Sequence, residues 1–171
     1  MNRLISASIL LVVFGSVSMA QTTTKKTTPD STQDTIVGRS VGAFFALSVA
    51  DVNMVSRWYQ EKLGFKVLSQ GEAPNKIAKF AILEGDGTLI ELIQHREAKP
   101  LSVAAPGVKS AYQIHGIFKV GMVVKNLDAL YQEVKRRGVP IAYELMRAKD
   151  VPMRSFSIRD AEDNLIQFFG T

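Results

Sequence analysis

Few side chains in this 171-residue sequence are of types that carry chemistry, and their distribution narrows what chemistry is open. Cysteine is absent, which excludes disulfides, thiol nucleophiles and thiolate metal sites. The two histidines, His95 and His115, stand alone, and neither has a partner at the His-Glu-x-x-His spacing that holds zinc on a helix. No Gly-rich phosphate loop occurs either. What remains is proton transfer or charge stabilisation by isolated carboxylates, lysines and imidazoles. Such groups act only if the fold brings them together.

The elements that must do so come in two copies. Phe44 to Val49 is apolar and β-prone, and Asp51-Val-Asn53 supplies short polar groups able to cap a following helix. In Met54 to Leu63, Met54, Val55, Trp58, Tyr59 and Leu63 recur at helical spacing, and Gly64 is placed to end the helix in left-handed geometry. Strands are predicted over Phe65–Ser69, Ile77–Leu83 and Thr88–Gln94, the last two joined by a tight Glu84-Gly-Asp-Gly87 hairpin. Residues 95–112, with Pro100, Pro106 and Gly107, read as a connector. The same order then returns: a strand over Ile114–Val124, Asn126 as cap, a helix over Leu127–Arg137, Gly138 as its stop, and strands over Val139–Leu145, Met153–Ile158 and Asn164–Phe169.

Asn126 follows Asp51 by 75 residues, Gly138 follows Gly64 by 74, and Gln167 follows Glu91 by 76. One shared offset for a whole order of elements points to an internal duplication. The expected fold is α+β: two tandem βαβββ modules, residues 43–94 and 113–170, in a domain over 41–171. Chemistry is expected where the copies meet.

Ala46-Leu-Ser-Val-Ala-Asp51, Trp58-Tyr-Gln-Glu-Lys-Leu-Gly-Phe65 and Gly87-Thr-Leu-Ile-Glu-Leu-Ile93 in the first copy carry a resemblance, as do Val120-Gly-Met-Val-Val-Lys-Asn-Leu127 and Arg159-Asp-Ala-Glu-Asp-Asn-Leu-Ile-Gln-Phe168 in the second. Over Phe44 to Phe169 the sequence resembles the vicinal oxygen chelate superfamily, which includes glyoxalase I, bleomycin-resistance proteins, methylmalonyl-CoA epimerase and extradiol dioxygenases. The resemblance implies modules curled into a barrel-like cup with helices outside. It also implies a divalent metal held by a His or Gln early in the first strand of each copy and a Glu late in its last. The matching positions here are Phe44 and Lys119 on the first strands, and Glu91 and Gln167 on the last.

Strand alternation puts Phe44, Ala46 and Ser48 on one face, and likewise Lys119, Gly121 and Val123, leaving Phe45, Leu47, Val49, Val120, Met122 and Val124 to pack on the helices. A phenyl ring has no lone pair to give, and a protonated lysine has none either. Glu91 and Gln167 alone fall short of the three or four protein ligands of a firm transition-metal site. No metal or other cofactor is therefore expected. Glu91 and Lys119 are instead expected as an ion pair in the cup, since a buried charge is tolerable only when paired.

The primary reading is a binding protein that takes a small, partly apolar molecule in a cup lined by Phe44, Glu91, Lys119, Gln167 and Phe156. A rival reading is a lyase or isomerase with Glu91 as base and Lys119 as electrophile, or an enzyme recruiting a divalent metal through Glu91, Gln167 and His115. A third is an interaction module whose cup is filled by Phe44. Unpaired strand edges make a homodimer the expected assembly.

The first residues add a location. Arg3, the apolar run Leu4 to Val17 and the small residues before Ala20 read as a secretory signal peptide over 1–20; the run is shorter than the roughly 20 residues a spanning helix needs. Residues 21–40, rich in Thr, Ser, Asp, Gln and Lys, read as a flexible linker. Export without cysteine suits a bacterial periplasm, with no membrane association after cleavage. The formal net charge of +5 is spread singly, with no basic run longer than Lys135-Arg136-Arg137, so nucleic acid is not an expected partner.

Overall fold

A computed structural model describes residues 42–149 and 151–170. The leader and linker expected over 1–40 lie outside them. The first copy is β1 (Ala43–Ser48), α1 (Val52–Trp58) continued by one wider π turn (Tyr59–Leu63), β2 (Lys66–Glu72), β3 (Ala78–Gly85) and β4 (Thr88–His95). The connector holds a short helix, α2 (Leu101–Ala104), and a single 3-10 turn (Ala111–Gln113). The second copy is β5 (Val120–Val123), α3 (Leu127–Arg136), β6 (Ile141–Arg147), β7 (Arg154–Arg159) and β8 (Leu165–Gly170).

Each copy makes one four-stranded mixed sheet, ordered β1-β4-β3-β2 and β5-β8-β7-β6. The two orders are the same permutation, with the first strand parallel to the last and the other pairs antiparallel. This is the α+β arrangement of tandem βαβββ modules. The sheets do not close into one barrel within the chain.

Local chemistry accounts for the boundaries. The Asp51 carboxylate accepts from the amides of Asn53 and Met54, and Asn126 Oδ1 accepts from the Ala129 amide, so both helices start on a side-chain cap. They end at Gly64 (φ 79°) and just before Gly138 (φ 68°), where a side chain would strain the backbone. Asp86 and Gly87, both at positive φ, form the tight β3–β4 turn. The strand expected from Ile114 starts only at Val120, because its partner β8 begins at Leu165 and offers nothing for residues 114–118 to pair with.

One face of each sheet packs under its own helix. Leu83, Ile90 and Leu92 meet Val52, Val55 and Tyr59 in the first copy; Phe156, Ile158, Ile166 and Phe168 meet Leu127, Tyr131 and Val134 in the second. Phe45, Leu47, Val120, Met122 and Val124 pack on this core, as alternation requires.

The copies are tied through helix ends and turns. The Lys62 ammonium donates to the Arg137 carbonyl at 2.5 Å, while the Arg137 guanidinium donates to the carbonyls of Glu61 and Lys62 at 3.3 and 3.2 Å. These residues occupy equivalent places in the two copies, so each copy's helix C-terminus is capped by a cation from the other. Tyr59 Oη donates to Asp160 Oδ2 at 3.1 Å in a buried position, and the Glu162 carboxylate accepts from the Ala50 amide at 2.7 and 2.9 Å.

Candidate functional site

The sheet faces opposite the helices are where side chains with chemistry come to the surface. In the first copy β1 and β4 pair with Ala46 beside Glu91 and Phe44 beside Leu89, and β3 sets Ile82 across from Glu91. Glu91 is thus half-buried in the middle of an apolar strip, with Leu89 and Ile93 on its own strand. Phe44 is 62% exposed on this face and does not fill it.

In the second copy Gly121 pairs with Gln167, and Ser157 lies on the other side of Gln167. The Lys119 ammonium donates to Gln167 Oε1 at 2.5 Å, and Gln167 Nε2 donates to Ser155 Oγ at 3.1 Å. Both ends of the Gln167 amide are therefore engaged along one line of the sheet. The face is otherwise apolar and open, with Val123 72% exposed and Tyr143 and Met146 exposed beside it.

Several expectations change. Chemistry was expected where the copies meet; among the described residues the hydrogen bonds that join the copies run through helix ends and turns, and none of Phe44, Glu91, Lys119 and Gln167 takes part in them. Among the described residues Lys119 and Glu91 form no ion pair within the chain, because they lie on separate sheets and Lys119 is satisfied by Gln167. Phe156, expected to line the cup, is 1% exposed beneath α3, stacked on Phe168 at 5.1 Å and edge-on to Tyr131 at 5.2 Å. It shares parity with Ile158, so it belongs to the helix side of β7. His115 lies before β5 rather than on it and is exposed.

The donor set does not fit a transition metal of the kind the fold implies. Of the four equivalent positions, Phe44 offers no lone pair and the Lys119 nitrogen is an ammonium already donating. Gln167 already uses one lone pair of its carbonyl oxygen on that ammonium, so the Glu91 carboxylate and at most this engaged amide oxygen remain, short of the three or four protein ligands of a firm site. No cluster of three or more His, Cys, Asp or Glu able to hold a metal occurs among the described residues.

Strong perturbation of a titrating group is found away from these faces. Burial, then the charge and hydrogen bond of Asp160, hold the Tyr59 hydroxyl far above the ordinary tyrosine range. Hydrogen bonds from Arg136 and Arg137 bring the exposed Glu133 carboxyl down to about 2. Both belong to the junction and to helix termination, not to an open site.

Sequence reading also missed a cavity of about 530 Å³ at the far end of the first sheet, lined by cations from the β2–β3 turn, β3 and the residues after β4. Singly scattered in sequence, they read as solvated surface; only strand register brings them together. Gly38-Arg39-Ser40-Val41-Gly42 has the Gly-x-Ser-x-Gly spacing of a nucleophile elbow. Of these residues only Gly42 is described, and β1 rather than a helix follows it, unlike an elbow.

Paired βαβββ modules with a helix on one face of each sheet and an open face on the other define the class of protein. The chain belongs to the glyoxalase/bleomycin resistance protein/dioxygenase superfamily, whose family model matches residues 43–168. No curated protein matches it. Among solved structures it is similar to TioX from Micromonospora sp. ML1, at 21% identity and TM-score 0.54, covering 75% of this chain and 97% of that one. A glyoxalase family protein from Enterococcus faecalis shares 16% identity at TM-score 0.59, covering 78% of this chain and 98% of that one. A glyoxalase I variant from Zea mays shares 19% identity at TM-score 0.56 over 74% of this chain and 43% of that one. At these identities the likeness is one of fold.

Proposed function

We propose that this protein is an exported binding member of the superfamily, which holds a small, partly apolar molecule against its open sheet faces without a metal and works as a homodimer. The observation that carries the reading is that Phe44 and Lys119 stand at two of the family's donor positions, which leaves Glu91 and a Gln167 amide oxygen already hydrogen-bonded to Lys119. Exposed Phe44, Val123, Tyr143 and Met146 give the faces an apolar character suited to such a ligand, with Glu91 and Lys119 as its polar contacts. The same exposure supports a dimer, in which the first sheet of one chain would face the second sheet of another, cover both faces and enclose one cup at each junction.

The signal-like residues 1–20 support periplasmic export. Expressed as the full chain in a bacterial host, the protein should be recovered from the periplasm cleaved after Ala20 and without stoichiometric Zn, Ni, Mn or Fe. About one equivalent of metal, lost in Glu91→Ala, would overturn the metal-free reading and favour an enzyme, since a lone carboxylate does not retain a transition metal through purification.

A further inference from the structure

The cavity at the end of the first sheet has the make-up of an anion site, and it is separate from Glu91. Antiparallel pairing sets Ala78 across from His95 and Lys79 across from Gln94, and the Arg96 amide donates to the Ile77 carbonyl at 2.9 Å. This register gathers Lys76, Lys79, Arg96 and Lys99 around one cavity of about 530 Å³. None of the four takes part in an ion pair among the described residues. Two carboxylates, Glu72 and Glu162, also line it, the Glu162 oxygens accepting from the Ala50 and Asp51 amides, so four cations stand against two anions. The excess is positive.

Two further observations point inward. His95 lines the cavity, and its Nδ1 accepts the Glu97 amide at 3.2 Å, so in the neutral ring the proton sits on Nε2, which is left as a donor. Lys76 has φ 54°, a left-handed conformation that glycine or asparagine adopts at less cost. The tight turn that holds it there is closed by the Ala73 amide on the Ala78 carbonyl and the Lys76 amide on the Ala73 carbonyl, each at 2.8 Å. A lysine kept at a strained turn position, beside three other unpaired cations, fits a role for its charge.

We propose that this cavity binds a compact dianionic oxyanion, such as the phosphate group of a phosphate monoester or a small dicarboxylate. Arg96 supplies a planar fork, the three lysines supply point charges, and His95 Nε2 and the Ser48 hydroxyl supply neutral hydrogen bonds. Glu91 is not among the lining residues, although Ser48 and His95 lie further along the same sheet face.

Calorimetric titration of the purified protein with inorganic phosphate, and separately with malonate, at ionic strength held constant with sodium chloride, tests it. Saturable binding of at least one anion is expected, and which of them binds tells phosphate from dicarboxylate. The paired change Arg96→Gln with Lys99→Gln should weaken that binding by at least about tenfold, the scale of lost charge-assisted hydrogen bonds. Lys79→Gln, on a different strand, is an independent arm and should weaken it in the same direction, while Lys149→Gln outside the cavity should not. Absence of saturable binding by both anions, or wild-type binding in the Arg96/Lys99 and Lys79 variants, overturns the proposal.

Discussion

Replacing Tyr59 by phenylalanine should weaken the junction between the two copies and remove a defined part of the protein's alkaline sensitivity. The ring is fully buried, and phenylalanine keeps its edge-on contacts with Trp58 at 5.1 Å and Phe65 at 5.8 Å, so the change is confined to the hydroxyl. That hydroxyl donates to Asp160 at 3.1 Å. A hydrogen bond to a charged acceptor contributes about 1.5–3 kcal/mol. The low end applies here, because Asp160 keeps the Glu162 amide, the Asn164 amide and the Asn164 side chain.

Tyr59→Phe should therefore lower the urea midpoint by the equivalent of about 1.5 kcal/mol at constant m. Asp160→Ala should cost more, about 3 kcal/mol or above, since the buried Tyr59 hydroxyl and the part-buried Glu162 and Asn164 donors lose their acceptor at once. The double variant should cost less than the sum of the singles by about 1–2 kcal/mol.

The pH dependence has a fixed sign. Tyr59 ionises far above its unfolded value of 10.0, so its contribution is complete below pH 10 and is lost as pH rises beyond it. Each unit above that point should remove about 1.4 kcal/mol, and Tyr59→Phe should abolish this component. Equal urea midpoints and an identical alkaline limb in the two proteins would refute the assignment.

Sedimentation should give a dimer for the wild-type chain, and Val123→Glu on the open second face should shift it to monomer without unfolding it; a wild-type monomer at all accessible concentrations would remove the paired-cup assembly. Lys119→Met should change stability by less than about 1 kcal/mol, as for other exposed charged contacts, whereas ligand retention should fall. If the two open faces meet across a dimer, Glu91→Gln and Lys119→Met should be non-additive in dimer stability; strict additivity would keep them apart.

The fold was legible because its signals are local and repeated. Caps at Asp51 and Asn126, stops at Gly64 and Gly138, and the Asp86-Gly87 turn each have a chemical cause visible in a few residues. A common offset multiplied their weight. Alternation also assigned Phe45, Leu47, Met122 and Val124 to the helix side. It failed for Ile114 to Phe118, where β propensity is real but β8 offers no partner, since strand formation depends on a neighbour that no local window contains.

The candidate site was less legible, because it depends on which faces meet. The family resemblance, supported by strand parity, put Phe44, Lys119, Glu91 and Gln167 opposite the helices, and parity would have put Phe156 with Ile158 against α3 had its register been fixed from Gln167 through Ser157. Propensity cannot tell whether two such faces turn toward each other or apart. How the copies sit together rests on contacts such as those of Tyr59, Lys62, Arg137, Asp160 and Glu162, whose partners lie 75 or more residues away. The cations around the cavity at the end of the first sheet escaped notice for the same reason: residues 76–79 become neighbours of 94–99 only when the β3–β4 hairpin is in register. In both cases the missing knowledge is a long-range pairing, so local chemistry identified which side chains could act but not which of them act together.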